Sequence, residues 1–380
     1  MYSRANPEND MNRTLALLLA ALLTAALPAQ ADPGVLASTA KGDPGLKSVE
    51  VLGFAGDGIL LIGDGRGAQV IAVITGDATR EKKQLPAKID KIDEKLAAKL
   101  GAAAADLQIL DLAVNPASGR IYFAVKKTSD KTATILTMGV DGAISDFPLK
   151  DVEFARVPLP KDGTTVTRIT DVAWAGGKLL ASAGANEEFG CKLFVAPGPI
   201  RHEAPGQMVS AETFHVSHKV WETKAPMNVI LPYEEAGKSY VVGAFSCTPV
   251  VKYPIDALEA GAKVKGLSMI ELGGGNRPID MLSYAKGGKT WILINTFRTQ
   301  HDKKPVGPSP YWAARIDAAL MAGTDKVNEK AIRRSGKGDA GLQIAETFHG
   351  VVQMDKLDDA RALAVRKTET GYDLEVLALP

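Results

Sequence analysis

The histidines and cysteines of this chain are the residues best suited to hold a soft metal ion. The pentapeptide Ala-Glu-Thr-Phe-His occurs twice, ending at His215 and His349, and His218 follows the first copy closely. Imidazole and thiolate are ligands that copper and zinc prefer, so His215, His218, Cys247 and His349 form a candidate copper or zinc site. Their spacing matches no zinc-finger, His-Glu-x-x-His or blue-copper pattern. The alternative is an outer-strand segment whose phenylalanine packs in the core.

A recurring aspartate supplies a second candidate site. Asp111, Asp171 and Asp280 each stand inside a short apolar segment that a Gly-Arg or Gly-Lys pair follows, and Asn228 fills this place in a fourth copy. If these side chains converge, their oxygen atoms suit Ca²⁺, which takes roughly six to eight oxygen ligands. The alternative is that each aspartate caps a turn by accepting hydrogen bonds from backbone N–H groups.

The two cysteines, Cys191 and Cys247, allow two interpretations. They occupy matching places in neighbouring repeats, 20 residues after Asp171 and 19 residues after Asn228. Two cysteines in an exported chain most often form a disulfide, which needs a Cα separation of about 4.4–6.8 Å. Free thiols, or Cys247 as a metal ligand, are the alternative.

Apolar runs bounded by Gly, Asp, Asn and Pro recur along nearly the whole chain. Such runs predict short strands, and these strands must position the residues named above. Asp111 and Asp171 lie 60 residues apart, and Asp280 follows 109 residues later, which is close to two further repeats. The predicted strand pairs are 58–63 with 69–74, 120–125 with 134–138, 178–182 with 192–196, 239–244 with 249–253, 290–295 with 312–316, and 361–366 with 372–379.

Repeated antiparallel units without α/β alternation predict an all-β fold, a β-propeller with six blades, with seven blades as the alternative. Segment 111–123 (DLAVNPASGRIYF) resembles the NHL and YVTN repeats of exported bacterial propellers, and segment 57–70 resembles them in part. Residues 87–100 carry apolar side chains at the 3.6-residue period, which predicts a short helix inserted between the first two units.

In a propeller, the first strand of each blade lines the central channel, so the repeat predicts that its polar residues meet at one mouth. Gln353 fills the corresponding place in the last blade, and Glu50 or Ser48 fills it in the first. The residues predicted to form this ligand-binding face are Asp111, Asp171, Glu187, Asn228, Arg277 and Asp280.

Residues 1–31 predict a signal peptide, with Met11 as an alternative start. Arg13 precedes an apolar run over 15–27, and Ala29-Gln30-Ala31 forms a small-x-small cleavage site. The run is too short to span a bilayer, so we expect no membrane span in the mature chain. Residues 32–380 should form one propeller domain, exported to a bacterial periplasm or secreted.

The net charge and the absence of several known motifs limit the functions that this chain can have. A net charge of +1 argues against nucleic acid or anionic membrane as the partner. The sequence has no Cys-x-x-Cys-His haem site, no Gly-x-Ser-x-Gly elbow and no Walker A loop. We therefore expect a propeller that binds a protein or small ligand on its loop-rich face. The alternatives are a calcium-dependent hydrolase of the lactonase or esterase type and a periplasmic copper or zinc protein.

Overall fold

Six small β-sheets surround a central axis, so the predicted six-bladed β-propeller is confirmed. The computed structural model describes residues 34–56, 58–77, 79, 85–160, 165–185, 191–215, 219–222, 225–246, 249–327 and 341–380. The predicted signal peptide, residues 1–31, lies outside these ranges. In the described part of the chain, no helix is long and apolar enough to cross a membrane.

The blades are numbered I to VI in chain order, and their strands are given from the channel outward. Blade I comprises Val51–Phe54, Ile59–Asp64, Gln69–Ile74, Val152–Pro158 and Ala40–Gly42, and blade II comprises Leu107–Val114, Ile121–Lys127, Ala133–Met138 and Ile144–Asp146. Blade III comprises Val166–Ala175, Lys178–Ala185, Cys191–Pro197, Gln207–His215 and Val220–Glu222, and blade IV comprises Met227–Glu235, Lys238–Phe245, Pro249–Pro254 and Leu267–Glu271. Blade V comprises Asn276–Lys286, Lys289–Arg298, Tyr311–Asp317 and Leu342–Ile344, and blade VI comprises Val351–Lys356, Arg361–Lys367, Tyr372–Ala378 and Lys88–Ile89.

A few short elements lie outside the blades. Lys263–Lys265 runs parallel to the fourth strand of blade III, and Leu36–Ser38 pairs in parallel with Ile200–Arg201. Within the described ranges, the helices are the α-helix Ile92–Lys99 and the 3-10 helices Ala104–Asp106, Ile255–Ala257, Ala318–Met321 and Glu346–Phe348.

Tight turns set the register of the innermost hairpins in blades III, IV and V. Two residues with positive φ join the first strand to the second in each case: Gly176-Gly177, Ala236-Gly237 and Gly287-Gly288. Two left-handed residues make the type I′ turn, whose twist matches that of the flanking strands. The glycines therefore fix which residue of the first strand faces the channel.

The order of the blades around the axis differs from their order along the chain. The innermost strand of blade I packs between those of blades II and III, and blade II packs in turn against blade VI. After blade II the chain returns to blade I through Val152–Pro158, which pairs with Gln69–Ile74, before it enters blade III. Lys88–Ile89, from the segment between blades I and II, pairs with Tyr372–Ala378 of blade VI. The ring therefore runs II, I, III, IV, V, VI.

Six hydrophobic clusters fill the six gaps between neighbouring blades. Ile62 and Tyr122 are buried between blades I and II, and Phe123 and Val365 are buried between blades II and VI. The other four clusters lie between I and III, III and IV, IV and V, and V and VI. Burying one such side chain stabilises the fold by about 1.5–3 kcal/mol, so packing between blades holds the ring together.

The predicted helical insertion exists but is shorter than the 87–100 that the sequence pattern indicates. The α-helix covers Ile92–Lys99, and Ile92 and Leu96 are buried in the gap between blades II and VI. Ile89, which fits the helical period, belongs instead to the outer strand of blade VI. Pairing with an open strand edge therefore overrides the local helical preference there.

The two Ala-Glu-Thr-Phe-His copies adopt different structures. The first copy, 211–215, is part of a strand, whereas the second forms the 3-10 helix Glu346–Phe348 with His349 after it. Phe348 is completely buried between blades V and VI, while Phe214 is half-buried against the exposed ring of Trp221. The prediction that the phenylalanine packs in the core is therefore fully confirmed for Phe348 and only in part for Phe214.

The unequal burial of the two phenylalanines predicts unequal losses of stability. Phe348→Ala should lower the free energy of unfolding by about 3–5 kcal/mol, because it opens a cavity between two blades. Phe214→Ala should lower it by about 1 kcal/mol, because the site is already in contact with solvent. Denaturant unfolding of both variants measures the difference, and equal losses would contradict the assigned packing.

Candidate functional site: the axial channel

An axial channel with two funnels runs between the innermost strands. The upper funnel, about 610 Å³, lies where these strands begin, and the lower funnel, about 540 Å³, lies at their opposite ends. Asp111, Asp171 and Asp280 line both funnels, so they form the waist between them. Asp355 lines the lower funnel directly beside this waist. These four aspartates are called the carboxylate ring below.

Each member of the carboxylate ring accepts a hydrogen bond from a backbone N–H of the neighbouring blade. The donor and acceptor pairs are Leu52 with Asp111 (2.6 Å), Ile230 with Asp171 (2.7 Å), Met354 with Asp280 (2.7 Å) and Val114 with Asp355 (2.7 Å). The bonds therefore join blade II to I, III to IV, V to VI, and VI to II. Hydrogen bonds to a charged acceptor contribute about 1.5–3 kcal/mol each.

A local irregularity of the first strand aims these carboxylates. The strand register shifts at Asp111 and at Asp171, where one extra residue bulges out of the pairing. The second oxygen of each accepts the N–H of the next residue, Leu112 at 2.8 Å and Val172 at 2.7 Å. The predicted capping of backbone N–H groups therefore occurs, and the same side chain also reaches the next blade.

Blade I uses Glu50, which the repeat predicts, whereas blade VI uses a residue other than the predicted Gln353. Glu50, in the first blade, accepts the N–H of Ile169 at 2.6 Å and so joins blade I to III. Gln353 donates instead to the carbonyl of Leu110 at 2.9 Å. Asp355, two residues further on, takes the role of the aspartate. The sequence analysis missed it, although a spacing of two puts it on the same strand face as Gln353.

Asn228 lies in the upper funnel but outside the carboxylate ring. Its amide donates to the Ser246 hydroxyl at 2.8 Å and accepts from Arg168 at 3.3 Å. Asp111, Asp171, Asn228, Arg277 and Asp280 thus line one cavity, as predicted for the ligand-binding face, while Glu187 lies outside the described residues. That this cavity binds a ligand stays a prediction at this point.

Burial raises the pKa values of the carboxylate ring. It brings the pKa of Asp111 to about 7 and that of Asp355 to about 6. The pKa values of Asp171 and Asp280 also lie well above the ordinary value, first through burial and then through the charges of neighbouring aspartates. The backbone N–H bonds oppose this shift but do not overcome it.

The carboxylate ring fits a calcium ion poorly. Its oxygen atoms already accept backbone N–H bonds, and no three His, Cys, Asp or Glu side chains in the described ranges lie close enough together to hold a metal. Calcium requires several oxygens converging on one point. The calcium site stays a prediction that this geometry does not favour.

Cationic side chains surround the upper funnel. The members of this set are Lys47, Arg66, Lys126, Lys131, Arg168 and Arg277. Arg277 is exposed and stacks over the Phe297 ring at 5.6 Å. Burial, and after it the positive charge of Arg277, lowers the pKa of Arg168, and the negative charge of Glu50 opposes this shift.

Arg168 is a residue that the sequence analysis missed although a signal existed. It stands three residues before Asp171, and Arg277 stands three residues before Asp280. The two arginines therefore occupy the same position of the repeat in blades III and V. Asn228 of blade IV lies between these blades in the ring and contacts Arg168.

The histidines predicted as metal ligands are separated. His215 ends the fourth strand of blade III, with its Nδ1 3.4 Å from a carboxylate oxygen of Glu222. His349 precedes blade VI, packs against Gly307, and has a pKa lowered by burial. Blades III and VI lie on opposite sides of the ring, so these two do not share a site. His218 and Cys247 lie outside the described residues, and the copper or zinc site stays a prediction.

Cys191 is a buried thiol at the start of the third strand of blade III, and within the described ranges it carries no disulfide. Burial raises its pKa to about 12, so it remains protonated at neutral pH. Its proposed partner, Cys247, lies outside the described residues. The disulfide therefore stays a prediction.

Comparisons with known proteins do not assign a family. No family model matches the chain, and no curated protein matches it. Similar solved structures include an exo-1,5-α-L-arabinanase from a bovine ruminal metagenomic library, at 11% identity and a TM-score of 0.37 over 73% of this chain and 95% of that one. Others are a glucose dehydrogenase-type oxidoreductase of Thermus thermophilus (13%, 0.29, covering 90% and 100%) and a GH43 β-1,3-galactosidase (12%, 0.34, covering 69% and 88%). Likenesses this distant carry no argument about activity.

The raised pKa of Asp111 predicts a pH-dependent stability. Between the ordinary aspartate pKa of about 3.9 and a folded value of about 7, the folded state binds the proton and the unfolded state does not. The contribution of this group to the free energy of unfolding therefore falls as pH rises through this window. Asp111→Asn removes that loss, so the variant's stability relative to wild type should rise by about 2 kcal/mol from pH 5 to pH 8.

Urea unfolding at a series of pH values measures this difference. Asp141→Asn is the matched control, because it removes the same charge from an exposed turn where Asp141 accepts only the N–H of Ala143. Its stability relative to wild type should change little over this range. A flat difference for Asp111→Asn would show that Asp111 is ionised in the folded protein at pH 5.

Proposed function

We propose that this protein is an exported propeller that binds a small ligand in the upper funnel of its channel. One observation carries the proposal: all five described residues of the predicted ligand-binding face line this single cavity of about 610 Å³. Small-molecule sites are typically concave, of about 300–1,000 Å³, with a few converging polar groups. Propellers as a class host many activities, so the proposal rests on the site and not on the fold.

The polar groups of the two funnels differ in a way that favours the upper one. In the lower funnel, Asp358 is paired with Arg361 at 2.6 Å, and Asp355 accepts two backbone N–H bonds. In the upper funnel, Arg277 contacts an aromatic ring and forms no ion pair with a described residue. Charged groups left without an opposite charge are available to a ligand.

The metal-based alternatives receive less support from the contacts. A calcium-dependent hydrolase would use Asp171, Asn228 and Asp280 as ligands, yet the two aspartates are engaged with backbone N–H groups. Of the predicted copper or zinc ligands, His349 lies across the ring from His215 and so cannot join it, while His218 and Cys247 lie outside the described residues. Both alternatives stay predictions, and the metal content of purified protein tests them.

Export is part of the proposal, and the resemblance to NHL and YVTN repeats supports it together with the N-terminal sequence. Cleavage after Ala31 should leave Asp32 as the first residue of the mature protein. N-terminal sequencing of protein recovered from the periplasm of an expressing bacterium checks this. An intact N-terminus at Met1 or Met11, with the protein retained in the cytoplasm, would overturn the proposed localisation.

Filling the upper funnel should abolish ligand binding. Ile279 is half-buried, lines the upper funnel and belongs to none of the inter-blade clusters, so Ile279→Trp should fill the cavity without opening a gap between blades. Pro232 is exposed in the lower funnel, and Pro232→Trp is the matched control. We expect compounds from a chemically broad panel that raise the Tm of wild type to fail with Ile279→Trp and to succeed with Pro232→Trp.

Two results would count against the upper funnel. If the compounds raise the Tm of both variants equally, they bind elsewhere on the protein. If the compounds raise the Tm of Ile279→Trp but not that of Pro232→Trp, the ligand site lies in the lower funnel.

A further inference from the structure

We infer that the ligand of the upper funnel is a small organic anion whose carboxylate or phosphate group binds between Arg168 and Arg277. This inference rests on the proposed function and adds the chemical class of the ligand. It follows from the charges of the two arginines, the contacts that they lack, and the shape of the cavity that they share.

The two arginines are like charges in one funnel, where the negative charge of Glu50 acts on Arg168 but forms no ion pair with it. Within the described ranges, neither Arg168 nor Arg277 forms an ion pair with a carboxylate. Arg168 reaches only the amide oxygen of Asn228 at 3.3 Å, and Arg277 stacks on Phe297. The positive charges of the two guanidinium groups repel one another, and an anion bound between them relieves this repulsion.

The repeat explains why the two arginines line the same funnel. Arg168 and Arg277 precede the waist aspartates Asp171 and Asp280 by three residues in blades III and V, which flank blade IV. Both backbones are fixed by strand pairing, and Asp171 is tied by two backbone N–H bonds. The planar guanidinium groups of the two arginines carry N–H donors whose arrangement matches the two oxygens of a carboxylate or the oxygens of a phosphate.

Other groups of the funnel extend this cationic site. Lys47, Arg66, Lys126 and Lys131 line the same cavity and add positive charge around its rim. Tyr311 and Tyr372 also line it and supply hydroxyl groups and ring faces. A ligand that fills the funnel can therefore carry a second acidic group and a ring, while the arginines hold its first anionic group.

The acidic groups of the funnel set the direction of the pH dependence. Glu50, Asp111, Asp171 and Asp280 face the ligand from blades I, II, III and V, and burial raises the pKa of all four. The pKa of Asp111 lies at about 7, so as pH falls from 8 to 6 this group takes up a proton and loses its negative charge, whereas the arginines and lysines keep their positive charge. An anion of constant charge should therefore bind more tightly at pH 6 than at pH 8.

Calorimetric titration of the mature chain with three probes tests the inference. Succinate represents carboxylates, inorganic phosphate represents phosphate esters, and sulfate keeps its charge between pH 6 and 8; sodium chloride at equal ionic strength is the reference. We expect saturable binding of at least one probe. Arg168→Gln and Arg277→Gln should each raise its Kd at least ten-fold, and sulfate, where it binds, should have a lower Kd at pH 6.

Two further variants separate a binding role from a general effect of charge. Arg201→Gln removes the same charge from an exposed strand outside both funnels and should leave the Kd unchanged. Arg168→Lys keeps the charge but loses the planar fork, and it should weaken binding of the preferred probe. A thermal unfolding scan of each variant confirms that it folds, and a variant that does not fold is replaced by Arg277→Lys.

The outcomes separate this inference from the proposed function. The inference is overturned if no probe binds more tightly than chloride, or if Arg201→Gln weakens binding as much as Arg277→Gln does. If neutral compounds still lose binding in Ile279→Trp, the upper funnel remains the ligand site and only the anionic class is wrong. If neither anions nor neutral compounds respond to Ile279→Trp, both the proposed function and the inference fail.

Discussion

The hydrogen bond from an acidic side chain to the backbone N–H of the next blade is the interaction on which this propeller depends. Asp111, Asp171, Asp280, Asp355 and Glu50 each make one, and together they span five of the six gaps between blades. Between blades IV and V the acceptor is Glu235, which takes the N–H of Gly323 at 3.0 Å, away from the lining of the channel. Asp111, Asp171 and Asp280 make theirs at the waist of the channel, and Asp355 makes its bond directly beside the waist.

This arrangement couples the stability of the ring to the properties of the channel. The side chains that tie the blades together are the same ones that line the waist, and burial raises their pKa values. A buried carboxylate that is partly protonated costs less desolvation energy than a charged one, while its hydrogen bonds to neighbouring strands persist. The channel therefore has a floor whose charge changes near neutral pH, below a rim of arginines and lysines whose charge does not.

The sequence predicted the parts of the structure that local patterning controls. All six strand pairs were found, because apolar runs and turn residues specify hairpins within a few residues of one another. The positions of Asp111, Asp171 and Asp280 followed from the repeat. The order of the blades did not, because it depends on pairing between strands far apart, such as Gln69–Ile74 with Val152–Pro158. The pentapeptide ending at His215 and His349 has one sequence and two structures, so its prediction from local sequence could not succeed for both copies.

The pairing of Lys88–Ile89 with Tyr372–Ala378 has a consequence for the order in which the molecule can be assembled. At about 5–20 residues per second of synthesis, Tyr372–Ala378 is made roughly 15–60 seconds after Lys88–Ile89, with which it pairs. Until then, Ile92 and Leu96 of the adjoining helix have no blade VI to cover them. The last blade is thus completed by one of the first segments made, and the ring can close only when the end of the chain has arrived.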